Sequence, residues 1–76
     1  MSLELQAKHV RENFLDVTST EFLNVLNQIQ EKFLNKITQE YLQGKLKAIT
    51  QTSNEEEKKK MCKNLIPYLD WYLQGL

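Results

Sequence analysis

The sequence predicts an all-α fold: a small bundle of three to four helices, built as one domain over residues 1–76 and expected to be oligomeric. Apolar residues recur every three to four positions along most of the chain, which is the period of an α-helix. No segment sustains the strict alternation that is typical of a β-strand. Only two glycines and one proline interrupt the 76 residues, so long helical segments can form.

The first predicted helix runs from about Leu3 to Leu15. Leu3, Ala7, Val10 and Phe14 are spaced four, three and four residues apart, and therefore fall on one side of a helix. The other sides of this segment are polar. A helix of about three turns is too short to be stable alone, so we expect it to pack on the rest of the chain.

The second helix has the clearest start in the sequence. Thr18 and Glu21 form a capping box, in which the Thr side chain accepts a hydrogen bond from the backbone N–H of the Glu. Val17 and Phe22 occupy the two positions of a hydrophobic staple. These four residues predict that the helix begins directly after Thr18.

A continuous apolar stripe follows this start. Its members are Phe22, Val25, Leu26, Ile29, Phe33, Ile37 and Tyr41, and the leucines that widen it are Leu23, Leu34 and Leu42. An unbroken helix from Ser19 to Ile49 would be about 46 Å long, whereas a globule of this chain length has a diameter of about 30 Å. Two possibilities stay open: the helix breaks near Gly44, or it projects and pairs with another chain.

The third helix follows a polar linker, residues 50–54. Ser53 with Glu56 forms a second capping box, and Asn54 with Glu57 offers a similar pattern one residue later. Either pair places the start of the helix at the end of this linker.

Charge pairs and one proline mark the rest of the third helix. Glu55 and Glu56 each stand four residues before a lysine, a spacing that predicts ion pairs along the helix. Pro67 removes a backbone hydrogen bond and should kink the helix or split it near Asn64. The broad apolar face of this segment consists of Met61, Cys62, Leu65, Ile66, Leu69, Tyr72, Leu73 and Leu76.

The string Tyr-Leu-Gln-Gly occurs twice, at residues 41–44 and 72–75. The flanking residues differ, so the string does not indicate an internal repeat. We interpret both copies as helix C-termini, each closed by a glycine in the left-handed conformation.

Three groups of side chains could carry chemistry, and the sequence favours a structural role for each. His9 and Glu12 lie one turn apart, as a metal-binding pair would, but the sequence contains no second histidine. Cys62 could be a reactive thiol because lysines are its neighbours, yet it lies on an apolar stripe. Residues 58–60 and Lys63 could contact phosphates, but three glutamates precede them and cancel their charge.

The C-terminal segment is rich in aromatic residues and has two apolar sides. One side can face the core, and the other is available to a partner, because Trp and Tyr are enriched at binding hot spots. With the leucines that widen the second helix, the predicted interface comprises Leu23, Leu34, Leu42, Leu65, Tyr68, Leu69, Trp71 and Tyr72.

Composition narrows the class of protein further. Lys plus Arg and Asp plus Glu are ten each, so the net charge is zero and nucleic acid is not the favoured partner. The single Cys allows no intramolecular disulfide, and one Cys with one His cannot build a structural zinc site. No apolar run is long enough to span a membrane, and no signal peptide is visible. We expect a cytoplasmic protein without a cofactor.

These observations predict a non-enzymatic protein-interaction module, a small adaptor or regulator that acts through apolar helix faces as a homodimer. Dimerisation would supply the stability that 76 residues without disulfide or metal lack. Two alternatives remain. One is an inhibitor or immunity-type protein, of the kind that phages and mobile elements encode, which blocks one target protein. The other is a nucleic-acid-associated regulator with a basic face created by dimerisation.

Overall fold

The computed structural model describes residues 2–75 and contains five helices in this part of the chain. They are α1 (Leu3–Glu12), α2 (Ser19–Gln30), α3 (Lys36–Gln51), α4 (Glu55–Lys63) and α5 (Ile66–Leu73). The all-α prediction is confirmed, with no strand between residues 2 and 75. The predicted count of three to four helices is wrong, because two of the three predicted helical segments are each divided in two.

The start of α2 is where its capping box predicts it. The Thr18 hydroxyl accepts a hydrogen bond from the backbone N–H of Glu21 at 3.2 Å, and the staple residues Val17 and Phe22 are both buried. Helix α1 ends at Glu12, three residues before the predicted Leu15. It ends there because the chain turns. The backbone carbonyl of Asn13 accepts hydrogen bonds from the backbone N–H groups of Asp16 and Val17.

The long second helix of the prediction breaks at residues 31–35, not at Gly44. The side chain of Asn35 accepts hydrogen bonds from the backbone N–H groups of Ile37 (2.9 Å) and Thr38 (3.1 Å) and so caps the start of α3. The Gln39 amide donates to the backbone carbonyl of Phe33 and closes the turn. Asn is among the strongest N-capping residues, and this signal lies inside the apolar pattern that predicted one helix.

Because of this break, α3 folds back on α2 instead of extending it. The described chain measures 31 × 25 × 18 Å, so neither of the two possibilities considered for a long helix applies. Gly44 lies inside α3 and does not end it. Its counterpart Gly75 does follow a helix and has a φ of 88°, so the interpretation of Tyr-Leu-Gln-Gly as a closed C-terminus holds for the second copy only.

The third predicted segment is two helices, α4 and α5. Asn54 is the N-cap of α4, because its side chain accepts from the backbone N–H of Glu57 at 3.0 Å. The alternative pair is therefore the right one, and the Ser53 capping box is not formed. The helix splits after Lys63, and Pro67 lies in the first turn of α5, where its missing N–H costs no hydrogen bond.

The core lies where all five helices meet. Each helix contributes at least one fully enclosed side chain, and α2 contributes most, because its apolar stripe faces the other helices. The buried hydrophobic residues are Ala7, Val10, Val17, Phe22, Leu23, Val25, Leu26, Ile29, Phe33, Leu42, Leu46, Ile49, Cys62, Leu65 and Leu69. Leu76, which the sequence places on the apolar face of the last helix, lies outside the described residues.

Two charged side chains of α4 hold the turn between α1 and α2. The Glu55 carboxylate accepts hydrogen bonds from the backbone N–H (2.9 Å) and the hydroxyl (2.5 Å) of the buried Ser19. The Lys59 ammonium donates to the backbone carbonyls of Phe14 and Val17. The ion pairs predicted between the glutamates and lysines of α4 are absent from the described residues, in which the one ion pair joins Arg11 to Asp70. Contacts between helices have replaced contacts along one helix.

Substituting each glycine by alanine tests whether Gly44 lies inside a helix and Gly75 closes one. A Cβ at Gly44 meets no atom within 4 Å, so Gly44→Ala should raise the free energy of unfolding by up to about 1 kcal/mol, the helix-propensity difference. Gly75→Ala should lower it by about 1 kcal/mol, because alanine disfavours a positive φ. Urea unfolding at low protein concentration measures both, and effects of the same sign would contradict this assignment.

The contact between Glu55 and Ser19 should make stability depend on pH. Hydrogen bonds from the Ser19 hydroxyl and backbone N–H lower the pKa of Glu55. A carboxyl whose pKa is lower in the folded state stabilises the fold above its unfolded pKa and loses that effect as the pH falls through the folded value. Glu55→Gln should therefore destabilise the protein at about pH 7, and this deficit should shrink as the pH falls toward about 3.

Urea unfolding of wild type and Glu55→Gln at the two pH values measures this difference. The matched control is Glu56→Gln, a substitution of the exposed neighbour in the same helical turn. A deficit of equal size at both pH values, or an equal effect of the control, would contradict the role of the Glu55 carboxylate.

Candidate protein-interaction surface

Half of the predicted interface residues lie in the core of the chain itself. Leu23, Leu42, Leu65 and Leu69 are between 0% and 8% exposed. The apolar surface that appeared surplus in the sequence is covered by the five helices of one chain, because α3 folds back on α2. In this conformation these four side chains belong to the hydrophobic core and are not available to a partner.

The other half lies at or near the surface. Leu34 is 93% exposed and Trp71 is 44% exposed, while Tyr68 and Tyr72 are half-buried. Two residues that the sequence assigned to the stripe of the long helix are also exposed, because α3 starts anew after the break at residues 31–35. These are Ile37, which is 78% exposed, and Tyr41, which is 58% exposed.

An aromatic row supports this surface. The ring of buried Phe33 packs edge-to-face on Tyr68 with centroids 6.0 Å apart, and Tyr68 packs in the same way on Trp71 at 5.1 Å. Burial, with a smaller effect of the nearby Tyr41, raises the pKa of the Tyr68 hydroxyl. The turn before α3, the first turn of α3 and helix α5 therefore meet in one apolar region.

A groove opens in this region. It has a volume of about 380 Å³ and is lined by Phe33, Leu34, Asn35, Thr38 and Trp71. The backbone on one side is fixed by the Asn35 cap, and the aromatic row fixes the other side. A rigid apolar groove beside exposed aliphatic side chains can take up apolar side chains of another protein.

Helix α3 has two apolar sides, and this arrangement explains the exposure of Ile37 and Tyr41. One side, Leu42, Leu46 and Ile49, is buried against the rest of the chain. The second side consists of Ile37, Tyr41, Gly44 and Ala48, which are all exposed; we call these four residues the outward stripe. They are spaced four, three and four residues apart, so they line one face of the helix.

The sequence contains the signal for the outward stripe, but the stripe is visible only when Asn35 is taken as the N-cap of a separate helix. Once α3 is started at Asn35, the spacing of Ile37, Tyr41, Gly44 and Ala48 is read separately from that of Leu42, Leu46 and Ile49. Without that start, Ile37 and Tyr41 are assigned to the buried stripe of a longer helix.

The three groups that could carry chemistry are apart from this surface. His9 is exposed on α1, and its Nδ1 lies 3.4 Å from the side-chain amide of Asn13 rather than beside Glu12. Lys59 lies over the Phe14 ring, 4.1 Å from its centroid, and its ammonium is occupied by backbone carbonyls. It therefore acts in the fold and is not an exposed phosphate contact.

Cys62 is fully buried in the core. Burial raises the pKa of its thiol to about 11, against the opposing effect of Lys59. The sequence indicates two opposing effects on the pKa of this thiol, neighbouring lysines and an apolar position, and desolvation at the apolar position is the larger. A neutral thiol enclosed among apolar side chains is a poor nucleophile.

Between residues 2 and 75, no three His, Cys, Asp or Glu side chains are grouped as a metal ion would require, and none of the five helices is long and apolar enough to cross a membrane. The chain matches no protein-family model, no curated protein and no solved structure. The assignment of function therefore depends on the surface itself.

The burial of Cys62 predicts slow reaction with thiol reagents. A pKa of about 11 instead of 9.0 leaves about a hundredfold less thiolate at a given pH, and enclosure slows the reaction further. Labelling with an aromatic disulfide reagent at about pH 8 should be slow in buffer and fast in guanidinium chloride. Equal rates in the two solutions would show that Cys62 is accessible in the native protein.

Proposed function

We propose that this chain is a non-enzymatic protein-interaction module, a small adaptor or regulator that works as a homodimer through its exposed apolar helix surface. The observation that carries the proposal is the exposure of four large apolar side chains on adjoining elements. Leu34 and Trp71 line one groove, and Ile37 and Tyr41 are exposed on α3, the helix whose first turn supplies Thr38 to that groove. Soluble monomers seldom expose large apolar side chains in one contiguous region, and such regions mark interaction sites.

The distribution of exposed apolar side chains supports this choice of surface. Six large hydrophobic residues are exposed in the described chain, and the two outside the grouping are Leu5 and Leu15 on the α1 side. Single exposed leucines are ordinary. Four exposed apolar residues on the turn at residues 31–35, on α3 and on α5 are not isolated in this way. Covering them would remove apolar area from water at about 25 cal/mol per Å².

The size of the protein favours a second copy as the partner. A domain this short buries a small share of its surface when it folds, and self-association is a common source of added stability. A symmetric dimer is the commonest form of self-association. An inhibitor-type protein would use the same surface on a different target, and a monomeric state would favour that alternative.

Sedimentation equilibrium across a wide concentration range tests the proposal. We expect the wild type to dimerise and Ile37→Ser and Tyr41→Ser each to raise the dissociation constant at least about tenfold, as truncation of a buried interface side chain does. Leu15→Ser, which removes a leucine that is 91% exposed elsewhere in the fold, is the matched control and should leave the dissociation constant unchanged. Circular dichroism should show that all three variants stay folded.

A wild type that remains monomeric at high concentration would contradict the homodimer. An equal loss of affinity in Leu15→Ser would contradict the assignment of the surface.

A further inference from the structure

We infer that the outward stripe of α3 binds the outward stripe of a second copy, with the two α3 helices antiparallel. This inference rests on the proposed homodimer and specifies which helix makes it, in which direction and in which register. Two observations carry it: the order of large and small residues along the stripe, and the charges that flank it.

The stripe is large at one end and small at the other. Ile37 and Tyr41 occupy the first half of α3, and Gly44 and Ala48 occupy the second half. Their four-three-four spacing is that of the seam along which two helices pack side by side. A Cβ at Gly44 would meet no atom of the same chain, so the backbone of α3 is open to close approach by another helix.

Antiparallel pairing places each large residue opposite a small one. One register puts Tyr41 against Gly44 of the second copy and, at the same time, Ile37 against Ala48 of the second copy. Parallel pairing would instead put Tyr41 against Tyr41 and Gly44 against Gly44, which crowds one layer and leaves a void in the next. Interlocking of large and small side chains fills the contact at normal packing density.

The flanking charges agree with the same register. Glu40 and Lys47 are exposed on one flank of the stripe, and neither forms an ion pair within the described residues. In an antiparallel pair of helices, each flank of one helix faces the equivalent flank of the other. The register set by Tyr41 and Gly44 therefore brings Glu40 opposite Lys47 of the second copy, and twofold symmetry makes this pair twice.

The other flank produces no conflict in this register. Lys45 lies over the Tyr41 ring, 5.2 Å from its centroid, and would face Thr38 of the second copy. Thr38 lines the groove with Trp71, so the groove lies at the edge of the paired helices. In a parallel pair, by contrast, Glu40 would face Lys45, and this difference allows a test.

Charge reversal distinguishes the two directions. Glu40→Lys and Lys47→Glu each turn two attractive pairs into repulsive ones, so each should raise the dimer dissociation constant about tenfold at low salt. The double variant E40K/K47E restores opposite charges in the antiparallel register and should return to within about threefold of wild type. The matched control E40K/K45E restores opposite charges only in a parallel pair and should stay weak.

Sedimentation equilibrium of the full chain measures all of these variants, and circular dichroism checks that they fold. If E40K/K47E stays as weak as the single variants while Ile37→Ser still weakens the dimer, the register is wrong and the proposed homodimer stands. Rescue by E40K/K45E would establish a parallel pair and overturn the inference. A wild type without self-association would overturn the proposed homodimer itself, and the inference with it.

Discussion

The turn at residues 31–35 determines how the helices of this protein are arranged. Asn35 caps α3 through two backbone N–H groups, and the Gln39 amide holds the carbonyl of Phe33. These contacts stop α2 at Gln30 and reverse the chain, so that Leu42, Leu46 and Ile49 are buried in the common core. Without the turn, the same residues would extend along a helix longer than the whole molecule.

Polar contacts from α4 stabilise the opposite end of α2. Glu55 satisfies the first backbone N–H of that helix, a group that has no partner within the helix. Lys59 satisfies two carbonyls of the turn before it. A chain with one Cys has no internal disulfide to fix this junction, and charge-assisted hydrogen bonds, which are about twice as strong as neutral ones, serve that purpose instead.

The proposed interaction surface is a consequence of the same turn. Reversal of the chain uses one apolar side of α3 for the core and leaves the other side, with Ile37 and Tyr41, in water. It also brings Phe33 against Tyr68, which in turn packs on Trp71, so these rings are held by packing within the chain before any partner binds. Rigid aromatic side chains lose little conformational entropy on binding, and this favours the surface as the place of association.

The sequence by itself determined the features that depend on neighbours along the chain. The helical class, the start of α2 at Thr18, the stripe of α1 and the split near Asn64 all follow from local spacing and capping. Tertiary structure alone decided which of two apolar sides of a helix is covered, because that depends on where the chain reverses. It therefore placed Leu23, Leu42, Leu65 and Leu69 of the predicted interface in the core, and left Leu34 and Trp71 at the surface. It also redirected Glu55 and Lys59 from each other to the start of α2, because burying backbone groups without partners costs more than an exposed ion pair contributes.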